Sequence, residues 1–347
     1  MKVCILGDTH FIPKSGDNNF NDFLCKFYTN VFFPTLIEKN IDTIIQVGDL
    51  FDKRHGIDFG TLYKAKKYFF DKLKEHDIKM ITLLGNHDLF YKESLSISSP
   101  ELLLECYDNI TVVTKPTTLS LNGCFIDIVP WVCKENYDES MNLIKSSASD
   151  YLFGHFEISG FSMYKNSECH TGLEPQLFHN YKKVFSGHFH TKSTNKNIMY
   201  VGTPYEMSWS DYNDKKGFHI FDLDNNNLEF IENPYTIFHR FYYDDSITQH
   251  IRYDDFIEKY NKIIVLNKTD YYKFDNFVSK LYDSNVYDIK ITEEIEVAVF
   301  KDEEVFNIED TMTLVNTYIE SVETAIDKNN IKSYFKMLYL EAMENEI

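Results

Sequence analysis

Short apolar runs recur along the first two thirds of the chain, and most of them are followed by a glycine. They are rich in Val, Ile, Leu and Phe and lie at 2–6, 43–47, 78–84, 124–129, 150–153, 183–186, 198–201 and 217–222. Short runs of this composition are typical of buried strands. The segments at about 20–38 and 61–76 instead place apolar residues three and four positions apart, which indicates helices packed on a core. This order predicts an α/β fold whose layered core is a two-sheet sandwich flanked by helices.

The pattern changes after Asp222, where a polar turn at 224–227 leads into a predicted strand at 228–232. The elements predicted beyond it are a strand at 263–266, a helix near 274–282 and a strand at 286–291. Together these elements predict a small α+β unit that follows the main domain.

Two short helices are predicted near the carboxyl end, each with an apolar seam. Apolar residues step by four and three positions from Ile308 to Ile326 and again from Ile331 to Ala342, which is the spacing of a and d positions along a helix. The pattern does not decide whether the seam packs on the preceding domain of the same chain or on a partner protein. The chain is therefore predicted to comprise a main domain at 1–222, a small domain at 223–300 and C-terminal helices at 301–347.

The composition indicates a packed cytoplasmic protein. With 347 residues, 29 Phe and 24 Tyr, the chain can bury a sizeable core. The six cysteines form no CxxC pair, which favours reduced thiols. No run of about 18 apolar residues is present, and the amino terminus enters a strand at once, so neither a membrane span nor a signal peptide is predicted.

Side chains of the metal-binding type follow five of the predicted strands. They are Asp8 and His10, Asp49, Asn86 and His87, His155, and His188 and His190. In α/β proteins, sites gather at the carboxyl ends of strands, where a glycine lets the backbone turn sharply. Two divalent ions about 3.5–4 Å apart need a bridging carboxylate and further donors that leave positions open for water and substrate. A nitrogen and oxygen donor set without cysteine suits Mn²⁺, Fe²⁺ or Zn²⁺ better than Ca²⁺. The sequence therefore predicts a two-metal phosphoesterase site.

The five segments, in the order D-x-H, GD, GNH, GH and GHxH, resemble the signature blocks of calcineurin-like metallophosphoesterases. The segments GDLFD, GNHD and GHFH and the run Tyr200-Val201-Gly202-Thr203-Pro204 resemble in particular the SbcD-type nuclease subunits of bacteria and phages. These subunits partner a Rad50-like ATPase. The resemblance also implies that the small domain is the capping domain of that family.

The resemblance implies a role for each candidate residue. One ion would be held by Asp8, His10, Asp49 and His190, and the second by Asp49, Asn86, His155 and His188, so that Asp49 bridges the two. His87 would be the catalytic residue, either an acid or a group that stabilises the phosphate. The ions would be Mn²⁺, with Mg²⁺ as the alternative.

The function implied is that of a manganese-dependent DNA nuclease, a 3′–5′ exonuclease on duplex ends and an endonuclease on single strands. The implied partners are DNA and a Rad50- or SbcC-like coiled-coil ATPase, with a homodimer of this chain inside a heterotetramer in a bacterial cell or phage-infected host. The chain has no GxxxxGK[ST] loop, so ATP hydrolysis would reside in the other subunit. A long polar loop predicted at about 160–182 offers a place for DNA contacts.

The charge of the chain is consistent with DNA binding that is shared with a partner protein. The net charge is −19, and residues 241–347 carry 11 Lys and Arg against 23 Asp and Glu. Tight, non-specific binding to DNA requires Lys and Arg at the phosphates. The acidity therefore argues against tight DNA binding by this chain alone and suggests that a partner supplies part of the affinity for DNA.

Two other functions remain open at this point. A stand-alone metallophosphoesterase that acts on small phosphodiesters or phosphomonoesters would share every metal ligand. A non-catalytic scaffold for an ATPase is a different class of protein, and the intact set of candidate ligands argues against it.

Overall fold

The computed structural model describes residues 1–11, 17–164 and 167–293, together with the isolated positions 319, 328, 331, 332 and 335. The chain divides into two compact units, Met1–Thr292 and Glu293–Ile347. The apolar seams predicted from Ile308 to Ala342 lie almost entirely outside the described residues. None of the helices in the described part of the chain is long and apolar enough to cross a membrane.

The first sheet has six strands in the order β14-β13-β1-β2-β3-β4. Their bounds are β1 (Lys2–Leu6), β2 (Thr43–Gln46), β3 (Lys79–Leu83), β4 (Ile110–Val113), β13 (Gly217–Asp222) and β14 (Asn227–Glu232). Strands β1 to β4 run parallel, so their carboxyl ends lie at one edge of the sheet. Strand β13 pairs antiparallel with β1, and β14 pairs antiparallel with β13.

The second sheet also has six strands, in the order β11-β12-β10-β7-β6-β5. Their bounds are β5 (Thr117–Leu121), β6 (Cys124–Val129), β7 (Tyr151–His155), β10 (Lys183–Gly187), β11 (Ser193–Asn195) and β12 (Ile198–Tyr200). Strands β6, β7, β10 and β12 run parallel. A separate two-stranded hairpin pairs β8 (Ser162–Tyr164) with β9 (Ser167–Glu168).

Two helical segments follow β1 and β2, and each contains a π-helical stretch. The first comprises α1 (Asn18–Phe27), the π-helical Tyr28–Phe32 and α2 (Phe33–Glu38), and the second comprises α3 (Phe59–Ala65), the π-helical Lys66–Phe70 and α4 (Asp71–Glu75). Asp17 begins α1 by accepting hydrogen bonds from two backbone N–H groups of its first turn. The other α-helices between residues 17 and 293, as far as these are described, are α5 (Ser99–Leu104), α6 (Tyr137–Ser146) and α7 (Tyr271–Tyr282).

Alternate residues of the central strands enter different apolar clusters, as expected for strands buried on both faces. Val3 and Ile5 of β1 belong to the cluster that also contains Phe153 and Phe185 of the second sheet. Cys4 and Leu6 belong to a second cluster with the aromatic side chains of the helices, among them Phe27, Phe32, Phe69 and Phe70. The predicted two-sheet sandwich flanked by helices is therefore confirmed.

A third, smaller sheet pairs β15 (Phe238–Asp244), β16 (Tyr260–Asn267) and β17 (Asp288–Glu293). Helix α7 packs on it through Phe274, Phe277 and Leu281. The predicted order of strand, helix and strand is confirmed, but the strand predicted at 228–232 was wrongly placed in this small unit. As β14, it extends the first sheet.

Two neighbouring residues of the chain join the small sheet to the first sheet. The Tyr205 hydroxyl donates a hydrogen bond to the carbonyl oxygen of Thr9, just after β1. The Glu206 carboxylate accepts hydrogen bonds from the backbone N–H groups of Ile237 and Phe238, at 2.8 and 3.1 Å, where β15 begins.

Several elements were not predicted. The segment at 160–182, predicted as a loop, contains the β8–β9 hairpin and a 3₁₀ turn at Pro175–Phe178. The strands β4, β5, β11 and β15 and the helices α5 and α6 also escaped the sequence analysis. All four of these strands lie at a sheet edge, where the side chains are partly exposed and the apolar pattern is weaker.

Candidate active site

The five predicted blocks meet where β1, β2 and β3 of the first sheet and β7 and β10 of the second sheet end. Two glycines make this close approach possible. A Cβ atom on Gly85 would lie 2.1 Å from Asp49 Oδ1, and one on Gly187 would lie 2.4 Å from Asp8 Oδ1. A side chain at either position would therefore displace a candidate ligand.

Three candidate ligands have left-handed backbone conformations, which are uncommon for residues other than glycine. The φ angles are +37° at His10, +50° at Asp49 and +87° at His188. Strained backbones of this kind persist where the surrounding structure fixes them, and they are concentrated at functional sites. Three of the five blocks thus carry this strain at a candidate ligand.

The first donor group consists of Asp8, His10 and His190, whose ligand atoms all lie within 4.8 Å of one another. The Nε2 atoms of His10 and His190 face each other at 3.2 Å. Asp8 Oδ1 is buried and has no hydrogen-bond partner among the described residues. A buried carboxylate oxygen without a donor is costly, and a cation would satisfy it.

The second donor group consists of Asp49, His155 and His188, again with ligand atoms within 4.8 Å of one another. His155 Nε2 lies 3.1 Å from Asp49 Oδ2. Asn86 Oδ1 joins this group, because it lies 3.1 Å from His155 Nε2 and 3.0 Å from His188 Nδ1.

Asp49 also approaches the first donor group, since its Oδ2 lies 3.7 Å from His10 Nε2. One carboxylate oxygen thus faces histidines of both groups, as a bridging ligand would. The donors are imidazole nitrogens, carboxylate oxygens and one amide oxygen, a set that fits two divalent cations of the first transition series.

Bonds from the protein backbone hold these donors in place. His155 Nδ1–H donates to the carbonyl of Val47 at 2.8 Å, which leaves Nε2 for the site. The backbone N–H of His188 donates to Asp8 Oδ2, also at 2.8 Å. Contacts that orient a metal-binding histidine or carboxylate in this way also tune its affinity for the metal.

Asp88 is a buried residue that the sequence analysis missed. Its carboxylate accepts hydrogen bonds from the backbone N–H groups of Leu50, Phe51 and Gly85, at 3.0, 3.2 and 2.8 Å. It therefore ties the loop after β2 to the loop after β3. Burial raises the pKa of Asp88 to about 7. Its position directly after the GNH block was the available signal.

Asp52 is a second missed residue, and it contacts two of the candidate histidines. Its Oδ1 lies 3.2 Å from His10 Nδ1, and its backbone carbonyl lies 2.7 Å from His87 Nδ1. Trp131 was missed as well. The centroid of its ring lies 5.0 Å from that of His188 and 5.9 Å from that of His155, so this half-buried indole forms a wall beside the second donor group.

His87 belongs to neither of these two groups but forms a third group of possible donors with His10 and Asp52, whose ligand atoms also lie within 4.8 Å of one another. Its backbone N–H donates to Asp49 Oδ1 at 2.8 Å, and its Nδ1 faces the Asp52 carbonyl. Burial lowers the pKa of His87, so the imidazole is neutral near pH 7 in the metal-free protein. With Nδ1–H donating to a carbonyl, Nε2 carries no proton, so it can accept a proton but can donate to a phosphate oxygen only after it has been protonated.

Two of the candidate ligands are cationic in the metal-free protein. Burial opposes a charge on His10, but the carboxylates of Asp52 and Asp49 outweigh it and raise its pKa to about 9. Burial is likewise outweighed at His155, where Asp49 is the main partner and the pKa rises to about 9. Burial also raises the pKa of Asp8, to about 6.

The other two candidate histidines are neutral. Burial lowers the pKa of His188 to about 3 and that of His190 well below its ordinary value. Each donor group thus pairs one protonated imidazole with one neutral imidazole near pH 7.

We expect metal binding to release about one proton per ion at pH 7, because His10 and His155 must lose their protons to become ligands. Both pKa values lie near 9, so protons compete with the metal below that value. The apparent affinity should therefore increase from about pH 6 to about pH 9 and change little above it. Calorimetric titration with Mn²⁺ in two buffers of different ionisation enthalpy measures the released protons. Affinity that does not depend on pH would contradict this assignment.

The chain is similar in sequence to one protein family and to three known proteins. The family profile described as calcineurin-like phosphoesterase matches residues 1–192. Exonuclease subunit 1 of Enterobacteria phage T4 is 34% identical over 349 residues, which cover 99% of this chain and 100% of that protein. The DNA double-strand break repair protein Mre11 of Nanoarchaeum equitans is 26% identical over 213 residues, which cover 54% of this chain and 56% of that protein. The protein of the same name from Sulfurisphaera tokodaii is 25% identical over 199 residues, covering 55% of this chain and 49% of that protein.

Proposed function

Because this chain belongs to the calcineurin-like phosphoesterase family, we propose that it is a two-metal DNA nuclease and the nuclease subunit of an SbcCD-like recombination and repair complex. The observation that carries the proposal is the position of Asp49, whose single carboxylate faces histidines of both donor groups. Similarity over the whole length to a phage exonuclease subunit supports the nuclease assignment.

The proposed ligands of one ion are Asp8, His10, Asp49 and His190, and those of the second are Asp49, Asn86, His155 and His188. Mn²⁺ is the proposed metal, with Mg²⁺ as the alternative. When bound, two such ions lower the pKa of a water molecule and neutralise charge on phosphate oxygens. The half-buried Trp131 limits the access of solvent to the second donor group.

His87 is the proposed catalytic residue. Its fixed backbone leaves Nε2 beside the donor groups, where it can contact an oxygen of the scissile phosphate. A neutral His87 can only accept a proton at Nε2. It donates to a phosphate oxygen, or acts as an acid, only after the charge of a bound phosphate has raised its pKa.

The proposed activities are 3′–5′ exonuclease cleavage of duplex ends and endonuclease cleavage of single strands. Purified full-length chain, assayed on end-labelled duplex and single-stranded DNA with and without Mn²⁺, tests them directly. Bis(p-nitrophenyl) phosphate and p-nitrophenyl phosphate serve as small diester and monoester substrates. Hydrolysis of the small substrates without any cleavage of DNA would favour the stand-alone phosphoesterase, and no metal-dependent hydrolysis at all would favour the scaffold.

A coiled-coil ATPase of the Rad50 or SbcC type is the proposed partner, within a heterotetramer that contains two copies of this chain. The charge of residues 241–347 supports the need for a partner, since this acidic part of the chain contributes little attraction to DNA phosphates. The apolar seams predicted from Ile308 to Ile326 and from Ile331 to Ala342 are the proposed docking segment.

Deletion of residues 305–347 should leave Mn²⁺-dependent hydrolysis of bis(p-nitrophenyl) phosphate intact and abolish co-purification with the ATPase. The deletion falls within the second compact unit, whereas every proposed ligand lies in the first. Pull-down with the tagged ATPase and a steady-state diester assay measure the two effects. Aggregation of the truncated chain, or loss of basal hydrolysis, would show that the seams belong to its own fold.

A further inference from the structure

Lys216 is a buried lysine beside the first donor group, and no block of the sequence analysis included it. Its side chain is 3% exposed, and its Nζ donates a hydrogen bond to the carbonyl oxygen of His190 at 2.8 Å. A buried ammonium group is unfavourable unless other groups compensate for its lost hydration.

Two carboxylates supply that compensation. Lys216 Nζ lies 2.6 Å from Asp211 Oδ1 and 3.0 Å from Asp214 Oδ2. Asp211 is fixed in turn, because its Oδ2 accepts hydrogen bonds from the backbone N–H groups of Met207 and Ser208 at 2.9 and 3.1 Å. The ammonium group therefore has a defined position from which to bind the His190 carbonyl.

His190 itself lies beyond the end of β10, so no strand pairing holds its backbone. Its carbonyl instead accepts two bonds, one from Lys216 Nζ and one from the backbone N–H of Thr203 at 3.1 Å. Fixing this peptide fixes the direction of the side chain, which places His190 Nε2 at 3.2 Å from His10 Nε2.

We infer that Lys216 is a positioning residue for the first donor group, an inference that rests on the proposed function. Lys216 acts through the backbone of His190, and its Nζ contacts that carbonyl and the carboxylates of Asp211 and Asp214. Its contribution is to hold one imidazole of the group in the orientation that a metal ion requires. Contacts of this kind contribute about 10–100-fold to metal affinity.

The test compares Mn²⁺ binding by the full-length protein and its variants in calorimetric titrations. Lys216→Met keeps the length of the side chain and removes the ammonium group. The matched control is Lys215→Met, since Lys215 is 73% exposed and paired with Glu232 at the surface. We expect Lys216→Met to lower the affinity for one of the two ions by about 10–100-fold and to leave the affinity for the other unchanged. Lys215→Met should change neither affinity.

Fluorescence of Trp131 identifies the ion that is retained. The chain has two tryptophans, and a Trp209→Phe background leaves only the indole near His188. The response of Trp131 to Mn²⁺ should keep its wild-type midpoint in Lys216→Met, because Trp131 adjoins the second donor group.

Lys216→Met leaves the buried carboxylate of Asp211 and the partly buried carboxylate of Asp214 without their cation, and this change by itself can prevent folding. The double variant Lys216→Met/Asp211→Asn removes one of those charges and carries the same expectation. The inference would be overturned if Lys216→Met bound two ions with wild-type affinity. If the single variant does not fold, the same result with the double variant would overturn it. A wild-type protein that binds no metal would instead overturn the proposed function, so the two failures are distinguishable.

Discussion

Asp49→Ala should bind neither ion tightly and should lose nearly all metal-dependent hydrolysis. The Asp49 carboxylate is buried, and its Oδ2 lies 3.1 Å from His155 Nε2 and 3.7 Å from His10 Nε2. Its removal takes an anion from both donor groups at once. Loss of several kcal/mol of transition-state stabilisation corresponds to a decrease in kcat/KM of about 10³-fold or more.

Elemental analysis and Mn²⁺ titration measure the metal content of Asp49→Ala, and DNA cleavage gives the rate. The matched control is Asp127→Ala, which removes a buried carboxylate that binds Thr118, Ser149 and Tyr181 instead of a candidate ligand. This control should lower the stability of the fold and retain both ions. If Asp49→Ala kept two tightly bound ions, the bridging assignment would be wrong.

His87→Asn should retain both ions and bind DNA normally while its kcat for cleavage falls by about 10²–10⁴-fold, the range for a lost acid or base. The bond from the backbone N–H of residue 87 to Asp49 Oδ1 does not depend on the side chain, so the metal site should survive. Single-turnover cleavage together with metal analysis separates these effects. His55→Asn is the control, because His55 is exposed and its ring packs against Phe90. Wild-type turnover of His87→Asn would remove His87 from the mechanism.

The pH profile of the wild-type protein shows which protonation state of His87 is active. Both an acid and a donor to the phosphate need a proton on Nε2, so the rate would fall as the pH rises through the pKa of His87 in the substrate complex. A neutral imidazole that accepts a proton would give a rate that falls on the acidic side instead. In the free protein burial lowers this pKa, which favours the neutral role unless bound phosphate reverses the shift.

The central strands were predictable because they are buried on both faces. In β1 and β2 nearly every residue is buried, so the sequence shows a continuous apolar run. Strand β5 has alternating half-buried and exposed residues, and no comparable signal marks it. The polar turn at 224–227 suggested a domain boundary, but the same kind of turn also joins adjacent antiparallel strands, and here it connects β13 to β14.

The candidate ligands could be named from the sequence because they lie in short blocks directly after strands. The family match confirms the resemblance, and the roles of the individual residues stay predictions. The supporting residues were not predictable in this way. Lys216 is 26 residues from His190 along the chain. Asp88 accepts hydrogen bonds from the backbone of Leu50 and Phe51, which lie in a different loop. Their roles depend on contacts that only the fold creates. Trp131 likewise becomes part of the site because of where the segment after β6 lies.

The adjacent residues Tyr205 and Glu206 impose a mechanical constraint on the protein. The Tyr205 hydroxyl donates to the carbonyl of Thr9, the residue between Asp8 and His10, and the Glu206 carboxylate accepts from two backbone N–H groups where β15 begins. The small sheet therefore cannot shift relative to the loop after β1 without breaking one of three hydrogen bonds or carrying that loop with it. A displacement of the small sheet would therefore reach the first donor group through two consecutive side chains.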